Sequence, residues 1–130
     1  MASWSEVQER LRKTHDLDVD DADEVALTLE RTEGGKKRGQ RVMIRRYTAW
    51  GREMIELRSA FGDLADYDPA ALLAENLNLP LGAIAAHGKF LVLVDRACLD
   101  DLPVEGVLFL MTRLCMLADV LEGRSGVDRF

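Results

Sequence analysis

Few side chains in this chain are suited to chemistry: His15 and His87, Cys98 and Cys115, and the alternate aspartates Asp16, Asp18 and Asp20. A catalytic histidine needs a nucleophile or an orienting acid at motif spacing, and neither histidine has one. His15 closes a helical stretch, where a cation suits the helix dipole, and His87 precedes Gly88 in a turn. The cysteines belong to no C-x-x-C pair and no Cys/His cluster, so they read as two buried thiols in a reducing compartment rather than as a disulfide. Asp16, Asp18 and Asp20 begin like a calcium loop. Asp21, however, stands where the loop needs glycine, and Leu27 where it needs a bidentate glutamate, so the stretch reads as a solvated loop. Gly34-Gly35-Lys36 has no Ser/Thr after the lysine and joins two strands, so it is a hairpin tip and not a phosphate loop. These readings predict no catalytic residues, no metal and no cofactor: a binding protein, not an enzyme.

The charge distribution is more informative. The net charge is −6 with a pI near 4.9, which opposes general nucleic-acid affinity. Yet Asp16–Glu30 holds seven acids and no base, whereas Arg31–Arg52 holds eight bases and one acid, Glu33. In this basic hairpin Lys36, Lys37, Arg38 and Arg41 could meet phosphates, with Tyr47 or Trp50 stacking on bases. The alternative to a protein-binding role is therefore a regulatory protein that uses Arg31–Arg52 to hold nucleic acid or another acidic partner. Pairing of Arg41 and Arg45 with nearby acids is the plainer reading.

Elements must position these groups. Ser3 and Glu6 fit a helix-capping pair, and Trp4, Val7 and Leu11 share one face, predicting a helix over Trp4–Thr14. Asp16–Glu24 reads as an acidic linker. Alternation predicts strands over Glu24–Arg31, Gln40–Thr48 and Arg52–Phe61. A two-residue turn at Trp50-Gly51 sets Arg45 opposite Glu56, Ile44 opposite Leu57 and Tyr47 opposite Met54. Val42, Ile44, Ile55 and Leu57 then face the core, and Met43, Tyr47 and Met54 lie on the other face among Arg45, Glu56 and Arg58. Asp68-Pro69 starts a short helix ending near Asn76, with Leu72, Leu73 and Leu77 able to reach one side. Ala83–Ala86 and Phe90–Val94 are two further strands, and a long helix runs from Pro103 to about Leu121. The result is one α+β domain of order α-β-β-β-α-β-β-α, an antiparallel sheet with helices packed on it. No apolar run approaches the ~20 residues of a membrane span, and polar Met1–Arg12 does not read as a signal peptide, which predicts a cytoplasmic location.

At about 100° per residue, the last helix presents a broad stripe of Val104, Val107, Leu110, Met111, Leu114, Leu117, Ala118 and Leu121. Glu105, Thr112 and Asp119 form a narrow polar seam beside it. Beyond the seam lie Phe109, Met116 and Val120, with Arg113 next to them. A helix with one buried face has no need of this second apolar group. It could lie under another segment of the chain, or contact a partner or a second copy, where burying three such side chains contributes about 5 kcal/mol before association costs.

The order of elements, with Leu72-Leu73-Ala74-Glu75-Asn76-Leu77 leading into Leu81-Gly82, the small-residue strand and glycine turn in Ala83–Val94, and the closing Leu117-Ala118-Asp119-Val120-Leu121, resembles the class I type III secretion chaperone superfamily and its YbjN-like relatives. The resemblance implies a bacterial, non-enzymatic, homodimeric protein that holds an extended partner segment by apolar patches and by strand addition at a sheet edge. It offers Phe109, Arg113, Met116 and Val120 on the last helix, and Met43, Tyr47 and Met54 on the sheet, as partner or dimer contacts. The arginine-rich second strand departs from secretion chaperones.

Overall fold

The structure is a computed structural model that describes residues 2–123. Ser3 caps helix α1 (Trp4–Thr14), its hydroxyl accepting from the Glu6 amide at 3.2 Å, and Trp4, Val7 and Leu11 are buried as their spacing predicts. The chain continues through β1 (Leu17–Asp20), β2 (Glu24–Glu33), β3 (Lys36–Ala49) and β4 (Arg52–Asp63), then α2 (Pro69–Glu75), β5 (Ala83–His87), β6 (Phe90–Cys98) and α3 (Val104–Gly123). All neighbours pair antiparallel in one six-stranded sheet of order β1-β2-β3-β4-β6-β5.

The α+β class holds, with one added strand. Leu17–Asp20, read from sequence as acidic linker, is an edge strand whose Leu17 and Val19 alternate with aspartates and pair with Leu27 and Ala26 of β2. Only Asp16 and Asp21–Asp23 of that linker remain loop. The register of β3 on β4 is the one the Trp50-Gly51 turn dictates, with Arg45 opposite Glu56, Ile44 opposite Leu57 and Tyr47 opposite Met54. Trp50 and Gly51 both adopt positive φ (52° and 70°), as a two-residue hairpin of matching twist requires.

The sheet has two unlike faces. Val25, Leu27, Val42, Ile44, Ile55, Leu57, Leu91 and Leu93 form one core with α1, with Leu72 of α2, and with Val107, Met111, Leu114, Ala118 and Leu121 of α3. Ala26 and Val92 are equally buried yet lie outside that cluster, because they point to the opposite face. A bulge in β4 between Ala60 and Gly62 brings Gly62 under the ring of Tyr67, which meets Phe61 edge-on at 5.7 Å and donates its hydroxyl to Leu121 O at 2.8 Å. This ties the end of α3 to the sheet.

The sheet edges are guarded in two ways. β1 is four residues long, and its aspartates alternate along it. On β5, Asn76 occupies the backbone of Ile84: its Oδ1 accepts from Ile84 N at 2.6 Å and its Nδ2 donates to Ile84 O at 3.4 Å. A further strand could pair at Ile84, near the start of β5, only by displacing that side chain.

A methyl at Gly62 would sit 2.5 Å from Tyr67 Cε1. Gly62→Ala is therefore expected to destabilise the protein by about 2 kcal/mol through overpacking. Tyr67→Phe, which loses one hydrogen bond, is expected to cost about 1 kcal/mol. Urea unfolding at neutral pH measures both, and a Gly62→Ala midpoint equal to that of the parent would contradict the packing described.

Candidate functional site

α3 uses its polar seam to fasten itself on both sides. Glu105 accepts from Arg10 of α1 at 3.2 Å, Thr112 bonds back to Leu108 O at 3.0 Å, and Asp119, 6% exposed, is held by Arg31 and by Arg38 at 3.3 Å. Beyond the seam, Phe109, Met116 and Val120 are 56%, 45% and 53% exposed. Arg113 lies across the first two, its guanidinium carbon 5.3 Å from the Phe109 ring centre and its Nη1 3.6 Å from Met116 Sδ. No segment of the described residues lies over this apolar row.

The basic hairpin is largely engaged within the chain. Arg31 and Arg38 grip Asp119, Arg41 bonds Asp18 at 2.7 Å, Arg46 bonds Asp23 at 2.7 Å and Glu53 at 2.9 Å, and Lys37 reaches Glu30 at 3.9 Å. Lys36 is exposed at the tip. Two of the three aspartates that mimic a calcium loop are engaged as well. Asp18 serves Arg41, and Asp20 accepts from Arg12 and Gln8, with the Arg12 hydrogen bond holding its carboxyl below the ordinary range. Both cysteines are free, and burial pushes the Cys115 thiol up to about 12, so it stays protonated.

Met43, Tyr47 and Met54 lie half-buried on the open face, as the register predicts. At its centre stands Glu56, 3% exposed and surrounded by three arginines. Arg45 Nε donates at 2.6 Å and Arg58 at 3.2 Å to one carboxylate oxygen, and Arg96 donates to the other at 2.8–3.0 Å. Burial alone would raise the Glu56 pKa. The hydrogen bond and charge of Arg45, joined by Arg58 and Arg96, outweigh it and hold the carboxyl below its ordinary value. Arg45 also stacks 4.8 Å from the Tyr47 ring centre. Beside this cluster is a concavity of about 390 Å³, floored by Met43, Ala60 and Val92 and rimmed by Arg41, Arg58, His87 and Phe90. Arg58 Nη1 contacts His87 Nδ1.

Sequence reading missed two features. Of the three leucines near α2 only Leu72 is buried; Leu73 and Leu77 are 69% and 91% exposed beside edge strand β5, because one short helix offers room for a single anchor. Arg96 is the other, since strand order, which periodicity does not give, brings β6 beside β4.

The Glu56 cluster gives a pH dependence with a definite sign. A carboxyl whose folded pKa lies below its unfolded one stabilises fully above the ordinary value of about 4.3, and loses that contribution as the pH falls through the folded value. Glu56→Gln is expected to cost about 3 kcal/mol at neutral pH, because three guanidiniums lose their common anion. The gap to the parent should narrow on acidification, as urea midpoints measured across the acid range will show.

No family model matches the chain, and no curated protein matches it. Among solved structures, the fold is similar to a chain of the HopA1–SchA chaperone–effector complex, with a TM-score of 0.61 and 14% identity over 89% of this chain and 88% of that one. The likeness is one of fold: an antiparallel sheet with helices packed on it.

Proposed function

We propose that this chain is a non-enzymatic, cytoplasmic protein-binding module that pairs with a second copy and holds an extended segment of a partner protein, in the manner of class I secretion chaperones and their YbjN-like relatives. One observation carries the reading. α3 is fixed by core packing and by ion pairs at Glu105 and Asp119, yet it presents Phe109, Met116 and Val120 to solvent with Arg113 laid across the first two. Apolar side chains in a row on a rigid helix are a contact surface. The fold likeness to a chaperone–effector complex supports a protein partner. No helix of the described residues is long and apolar enough to cross a membrane. Methionine at positions 43, 54 and 116 suits a surface that adapts to varied side chains. Leu73 and Leu77 form a second apolar patch, so self-association and partner capture have separate places to occur. Face contacts fit better than strand addition at β5, where Asn76 holds Ile84.

Light scattering at micromolar concentration is expected to give the mass of a dimer. Phe109→Asp with Met116→Asp should weaken either the dimer or partner capture and leave the thermal midpoint within a few degrees, because both side chains are already exposed. Leu73→Glu with Leu77→Glu, measured in parallel, tells which patch serves which role. A Phe109/Met116 variant that keeps both its mass and its captured partners removes α3 as the contact.

A further inference from the structure

We propose that the concavity beside Arg58 on the open face of the sheet seats an apolar side chain of an acidic peptide segment, whose neighbouring carboxylate is taken by the cations of the rim. The proposal rests on the protein-binding reading above and names the chemistry of the partner. Three positive charges, on Arg45, Arg58 and Arg96, surround the single negative charge of Glu56, so this cluster carries an excess of two within a chain whose net charge is −6. Asp18 answers Arg41, and Glu24 adds its charge only at the Arg45 end. The excess therefore sits toward Arg58, which rims the concavity, and Arg96, which lies opposite Glu56.

The rim can donate hydrogen bonds there. An arginine has no acceptor, so in the contact between Arg58 Nη1 and His87 Nδ1 the ring nitrogen accepts, and Nε2 is the donor of this exposed side chain. The floor is apolar: Met43, Ala60 and Val92 lie on the face that no helix of the core cluster covers. A volume of about 390 Å³ falls at the lower end of the range of specific pockets, about 300–1,000 Å³. Carboxylate recognition by guanidinium beside an apolar seat thus fits a peptide that alternates acidic and apolar residues. A phosphodiester strand fits less well, since an excess of two charges is too small for binding dominated by phosphate contacts.

The test uses the full chain and fluorescence polarisation with a short labelled peptide alternating leucine and glutamate, and its leucine–glutamine counterpart. The acidic peptide is expected to bind, with the neutral one about tenfold weaker. Ala60→Met, which fills the floor and leaves every charge in place, is expected to weaken the acidic peptide about tenfold, with circular dichroism confirming an unchanged fold. Equal binding of the two peptides, undiminished binding by Ala60→Met, or displacement of the peptide by a short oligothymidylate would overturn the proposal. Phe109→Asp with Met116→Asp should leave peptide binding unchanged. If that variant loses its dimer or partner while the acidic peptide fails to bind the parent, this seat alone is wrong and the protein-binding reading stands.

Discussion

A six-stranded sheet has two faces, and the helices of this chain put their buried residues against one of them. Everything else follows from how the other face meets water. α1 and α3 cover Val25, Leu27, Val42, Ile44, Ile55 and Leu57 and make the single core. On the far face the central strands still bury what neighbouring strands shield, including Ala26, Val92 and a carboxylate, Glu56. An ionised side chain so deeply placed is tolerable only with matched partners, and three arginines from β3, β4 and β6 supply them. The cluster spans three strands, so it reinforces from the open face the register that the Trp50-Gly51 turn and the buried face already specify.

The segregated charge of the sequence finds its explanation in the same meander. Consecutive antiparallel strands lay the acidic stretch of Asp16–Glu30 alongside the basic stretch of Arg31–Arg52. Asp18 then meets Arg41, and Asp23 meets Arg46. These pairs are exposed, and each contributes little to stability. Together they neutralise a block of bases that would otherwise attract phosphates. The acid that matters more is Asp119, which comes from α3 and draws Arg31 and Arg38 onto the helix.

Much of the fold was legible in the residues because the local signals agreed. The Trp50-Gly51 turn fixed the pairing of Arg45 with Glu56, and the angular pattern of α3 separated its core stripe from Phe109, Met116 and Val120. β1 was hidden because a short edge strand with aspartate at every second position has the composition of a loop, and only its pairing to β2 distinguishes the two. The candidate surfaces divide likewise. The outer row of α3 could be read along one helix. The concavity on the sheet brings together Met43, Ala60, His87 and Val92 from four strands, and no periodicity within one strand reports such a meeting.

The side chain of Asn76 also bears on the kind of assembly open to this protein. Strands that add edge to edge repeat without limit, because each addition exposes a fresh edge like the first. With Ile84 near the start of β5 held by Asn76 and β1 reduced to four residues, that open-ended route is hindered at both edges of the sheet. Association through a helix surface carries no such renewal. Two copies joined by the same patch, as in the proposed pair, would satisfy each other and stop.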